Sequence, residues 1–112
     1  MKTKYHVLPD KHFYNYFNYV IGKVWKILPM TEENNKDLKK HMESLQRELI
    51  GKMYLIEDLR CDGYFLTLLN KIEYLINEEY THEVCRSEVF ACISIINKII
   101  EKYELDSGDV DG

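Results

Sequence analysis

Between Tyr64 and Glu79, the residues Phe65, Leu68, Leu69, Ile72, Leu75 and Ile76 recur at three- and four-residue spacing. That period puts all six side chains on one face of an α-helix, whereas a strand would divide them between two faces. The same signature returns elsewhere. Leu38, Met42, Leu45 and Leu49 step by four, three and four, the narrow seam of helices that pack side by side. Cys85, Val89, Cys92, Ile93, Ile96, Ile99 and Ile100 form one stripe along the last third of the chain. Strand-like alternation is found nowhere, so an all-α fold is expected. Short connections between the segments predict a compact antiparallel bundle of four to five helices in a single domain.

Local signals set the expected boundaries. Asp10 can cap a first helix that Pro29 should stop, because proline disfavours helical geometry in the residue before it. Thr31 reads as the next cap, with Glu32 and Glu33 where the helix dipole favours negative charge, and Gly51 reads as the end of that helix. A short helical segment carries Met53, Ile56 and Leu59 before Asp62-Gly63 breaks it. The last helix should begin near Thr81. Residues 1–103 form the expected bundle domain, and residues 104–112, with four acids and little to bury, an acidic flexible tail.

At 112 residues, 46% apolar and 30% charged, the chain has the size and composition of one soluble globular domain. Its longest uncharged stretch, 13–22, is half of what a membrane-spanning helix needs, about 20 residues. Met1-Lys2-Thr3-Lys4 is basic like the start of a signal peptide, but Pro9, Asp10 and Lys11 fall where its apolar region should be. Three irregularly spaced cysteines make no disulfide framework, so reduced thiols and a cytoplasmic location are expected. Residues with AT-rich codons (Ile, Lys, Asn, Tyr, Phe, Met) far outnumber Gly, Ala, Arg and Pro. A low-GC bacterial or phage genome fits that usage.

Candidate chemistry is sparse. His82 and Cys85 could offer two zinc ligands, but Cys85 and Cys92 lie about 10 Å apart along one helix, too far for a single tetrahedral ion. Both cysteines are better placed as small core residues. Glu79-Tyr80-Thr81-His82 has the Glu-x-x-His spacing of di-iron bundles, yet such sites need two copies. Ser44, Ser87 and Ser94 have no activating neighbours in the sequence, and the glycines are too scattered for a phosphate loop. No catalytic residue, metal or cofactor is therefore assigned, and the protein is not expected to be an enzyme.

Charge and surplus apolar surface point instead to binding. Net charge is −4, but residues 1–29 hold five lysines against Asp10 alone. Lys11, Lys23 and Lys26 among aromatics suggest a nucleic-acid contact, although the aromatics fall on the apolar half of the first helix and the segment lacks arginine. That half spans about 180°, wider than the stripe of just over 100° that a bundle helix buries. Tyr14, Ile21 and Trp25 form its outer margin. Phe90 stands out on the polar side of the last helix, among Glu83, Arg86, Ser87, Ser94, Asn97 and Glu101. A protein-interaction surface at Tyr14, Ile21, Trp25 and Phe90 is the leading expectation, serving a homodimer or a larger bacterial or phage protein that this chain would inhibit or neutralise. A nucleic-acid-associated regulator is the alternative.

Overall fold

The computed structural model describes the backbone of residues 10–111 and the side chains of residues 11–103. Four long helices, α1 (Asp10–Trp25), α3 (Leu38–Leu55), α5 (Gly63–Asn77) and α6 (His82–Asp111), are joined at the corners by two short ones, α2 (Ile27–Glu32) and α4 (Glu57–Arg60). No strand forms among the described residues. The fold is the all-α single-domain bundle that the periodicity predicts. The acidic tail expected at 104–112 lies outside the residues whose side chains are described, along a stretch that the backbone of α6 enters.

Neighbouring long helices run antiparallel, as their side-chain pairings show. Lys23 near the end of α1 meets His41 near the start of α3, while Tyr16 lies under Lys52. Asp62 before α5 meets Lys102 on α6, and Lys71 meets Glu88. Phe13 packs on Tyr103, and Trp25 on Phe90. Helix α6 thus lies between α1 and α5, and α3 closes the other side of α5.

The predicted stripes meet in one core. Phe13, Phe17, Val20 and Val24 come from α1, Met42, Leu45 and Leu49 from α3, and Phe65, Leu68, Ile72 and Leu75 from α5. Cys85, Val89, Cys92, Ile96, Ile99 and Ile100 supply the α6 share. Each fully buried Leu or Ile contributes roughly 1.5–3 kcal/mol of hydrophobic transfer energy, so these stripes, more than helix propensity, hold the bundle.

Three expected boundaries move. Pro29 does not stop the first helix; it sits inside α2. Proline lacks the N–H that would bond the Trp25 carbonyl four residues back, so the chain bends at Lys26 and restarts at Ile27. Pro29 then occupies the first turn of α2, where no such bond is required. Thr31 consequently lies within α2 and does not cap α3, which begins only at Leu38 after a turn with Asn34 at φ 52°. Asparagine tolerates that left-handed geometry better than most residues. Gly51 is carried through α3 rather than ending it, because the loss of about 1 kcal/mol against alanine is small beside the burial of Leu49 and Ile56 on either side. By contrast, Asp62 does break the chain, and its carboxylate caps α5 by accepting from the Phe65 amide at 3.1 Å. Thr81 does the same for α6 through the Val84 amide.

Candidate functional site

Helix α1 presents two flanks, one toward α6 and one toward α3. The antiparallel register brings Trp25 and Phe90 together on the α6 flank as an edge-to-face pair, with ring centroids 5.4 Å apart and planes at 80°. Their contact leaves part of each side chain uncovered. Trp25 remains 39% and Phe90 49% exposed, so the pair forms an aromatic patch on the surface. Ile21, one turn back from Trp25, is half-buried against the core. Tyr14 is 47% exposed but about 16 Å further along the helix axis, and does not join the pair. The two expected anchors that lie 65 positions apart in sequence are therefore neighbours, whereas Tyr14 stands apart.

Lys11 and Lys26 are exposed at opposite ends of α1, about 22 Å apart. Lys23 is half-buried and holds its ammonium 5.4 Å from the Tyr19 ring centroid. These three lysines do not converge on one point.

On the α3 flank lies a cleft of about 410 Å³. Its apolar wall is Phe13, Phe17 and Ile56, while Tyr16, Tyr19 and Lys52, with His12 and Asn15, supply the polar side. The Lys52 ammonium sits 4.9 Å from the Tyr16 ring centroid. The Tyr16 hydroxyl is out of solvent and has no hydrogen-bond partner among the described residues. Burial, reinforced by the nearby charge of Glu48 and by Tyr19, pushes the Tyr16 phenol above its ordinary pKa range and keeps it protonated. The Glu48 carboxylate is in reach of the Tyr19 hydroxyl at 3.5 Å. By helical angle Tyr16 falls on the apolar half of α1. Its half-buried position and stranded hydroxyl depend on α3, which no pattern within α1 reports.

A third cluster joins α5 to α6. Asp62, only 1% exposed, accepts from the Lys102 ammonium at 2.9 Å and the Tyr103 hydroxyl at 2.8 Å, besides capping α5. Burial opposes the charged form of this carboxyl, but the bonds from Lys102, Phe65 and Tyr103 outweigh it and hold the pKa below the usual range. All three bonds tie the fold together and none points to a ligand.

The cysteines fall where the stripe predicts. Cys85 and Cys92 are buried and Cys61 is exposed, all as free thiols. Burial pushes the Cys92 thiol up to about 12, so it is protonated and unreactive near neutral pH. His82 opens α6 and Glu79 precedes it in the loop, so the Glu-x-x-His spacing does not lie on one helix. Among the described residues no three His, Cys, Asp or Glu side chains converge to hold a metal ion, and no helix is long and apolar enough to cross a membrane. Comparison with protein-family models, with curated proteins and with solved structures finds no match for this chain.

Proposed function

We propose that the protein is a small non-enzymatic binding module that engages another protein through the α1–α6 edge, with Trp25 and Phe90 at the contact centre. The observation that carries this reading is the Trp25–Phe90 pair: two large rings on adjacent helices, each about half exposed, in contact with one another. Tryptophan in a contact centre contributes disproportionately to binding energy, and an aromatic surface patch is a common mark of an interface. The partner is a second copy of the chain or a larger protein that it inhibits or neutralises. A cytoplasmic setting suits three free cysteines.

Sedimentation and affinity capture, with wild type beside Trp25→Glu and Phe90→Ser, test this reading. Wild type should dimerise or retain a protein that both variants lose, with helical circular dichroism unchanged. Retention of the same partner by Trp25→Glu would overturn it. Binding that vanishes on raising salt and on neutralising Lys11 and Lys26 would instead identify a nucleic-acid ligand, since phosphate contacts are the salt-sensitive ones. The separation of those lysines along α1 supports the protein reading over that one.

A further inference from the structure

Arg86, Phe90, Ser94, Asn97 and Glu101 recur on α6 at steps of four, four, three and four, so they share one outward face, and all five are exposed. Charge is confined to the ends of that face. Arg86, with Glu83 one turn beyond it, lies at one end and Glu101 at the other, about 22 Å along the axis from Arg86. Neither Arg86 nor Glu101 forms an ion pair among the described residues. Between these ends the α1–α6 edge is neutral, since Asn18, Gly22 and Trp25 on α1 and Phe90, Ser94 and Asn97 on α6 carry no charge. A centre depleted of charge within a polar rim is the usual anatomy of a protein interface.

Bulk is distributed as unevenly as charge. The half of the edge nearer Arg86 projects the Trp25 and Phe90 rings, whereas the half nearer Glu101 presents Asn18 and Asn97. At the middle lie Ser94 and Gly22, where even an added Cβ would meet nothing within 4 Å. Two such edges laid together in the same direction would set rings on rings and hold their flatter halves apart. Turned end for end about a two-fold axis near Gly22 and Ser94, each aromatic pair instead lies over Asn18 and Asn97 of the other copy, and Arg86 lies opposite Glu101. The Phe13–Tyr103 and Trp25–Phe90 contacts fix the register of α1 on α6. In that register Lys11 of the second copy comes level with Glu83, so a cation also reaches the acid beside Arg86.

Taking Trp25 and Phe90 as a contact centre, as above, we propose that the occupant of the α1–α6 edge is a second copy of this chain, packed antiparallel about a two-fold axis, with Arg86 of each copy paired with Glu101 of the other. Two-fold dimers are the commonest closed assemblies, and every such contact is made twice.

Sedimentation equilibrium on the full chain tests it. Wild type should dimerise, and Arg86→Glu or Glu101→Arg alone should weaken the dimer about tenfold or more, because each sets like charges together at two places. Helical circular dichroism should not change, since both side chains are exposed. Mixed in equal amounts, the two variants should associate with each other about as tightly as wild type does, because each reversed residue then meets its opposite in the other chain. A wild type that stays monomeric at millimolar concentration overturns the proposal. So do single charge reversals that dimerise as wild type does, or a mixture that associates no better than either variant alone. Trp25→Glu separates this failure from failure of the contact centre itself. If that variant dimerises as tightly as wild type, both readings fall, whereas a monomeric wild type whose larger partner is lost by Trp25→Glu sinks only the second copy.

Discussion

On the α6 flank of α1, Trp25 and Phe90 share one edge contact and leave 39% and 49% of their surface to solvent. On the α3 flank, Tyr16 and Tyr19 are drawn toward α3 by Lys52 and Glu48, and a cleft opens beside them. Both flanks use aromatic residues beyond what the core requires. The difference lies in the neighbour. Helix α6 meets α1 through Phe90 near one end and Tyr103 near the other, rings that close on rings. Helix α3 offers charged side chains, which orient tyrosines without filling the space between them. One flank therefore has the character of a contact surface, and the other that of a recess.

Phe17 is common to both flanks, fully buried and in ring contact with Phe13, Tyr16 and Phe65. Phe17→Ala should give the largest loss, about 3–5 kcal/mol by denaturant unfolding, because it removes a buried ring from the centre of the core. If the loss stayed under about 1 kcal/mol, the two flanks would not share a rigid spine and the comparison would fail.

Next in size is Asp62, which anchors α6 to the start of α5 and so fixes where Phe90 falls. Asp62→Ala should cost about 2–4 kcal/mol, adding a lost helix cap to the loss of the bonds that Asp62 accepts from Lys102 and Tyr103. The pH dependence has a definite sign. The folded carboxyl is held below its ordinary pKa, so its stabilisation is complete above the unfolded value of about 4 and is lost as pH falls through the lowered folded value. Denaturant midpoints of wild type and Asp62→Asn should therefore stand apart at neutral pH and converge on acidification. A gap that is constant with pH would show that the charge contributes nothing.

These residues also show how far the sequence could be read. Helix faces follow from spacing, so the stripes through Leu45, Leu68 and Ile96 are legible, as is the surplus represented by Trp25 and Phe90. The contact between those two rings is not, because it depends on the register of helices distant in sequence. Asp62 reads only as a breaker before Gly63; its bonds to Lys102 and Tyr103 span some forty residues and leave no local pattern. Pro29 misleads for a physical reason, since a first-turn proline and a helix-ending proline look alike until the bend at Lys26 is seen. The α3-side cleft is the least legible feature. Tyr16 belongs to the apolar half of α1 by angle, and only Lys52 and Ile56, brought in by α3 and the residue after it, make a recess of its surroundings.

A double-mutant cycle on Trp25→Ala and Phe90→Ala measures the α6 flank directly. Edge-to-face pairs contribute about 0.5–1.5 kcal/mol beyond burial, and half-exposed rings belong at the lower end. Each single variant should cost about 1 kcal/mol or less, with a coupling of roughly 0.5 kcal/mol. A coupling above about 2 kcal/mol would mean that the rings are a core element and that the patch is not free to bind.

The smallest effect, and the one of opposite sign, is expected on the α3 flank. Tyr16→Phe keeps the ring contacts with Phe17 and Tyr19 and removes only a hydroxyl that has no partner among the described residues. Deleting a buried, unpaired donor relieves its desolvation cost, so the variant should be more stable than wild type by a few tenths to about 1 kcal/mol. The cation–π contact with Lys52 survives, because it involves the ring face. A destabilisation of more than about 0.5 kcal/mol would show that the hydroxyl is satisfied in solution, by an ordered water or otherwise. Truncating Trp25 or Phe90 should show no such gain, since neither carries a buried unpaired group.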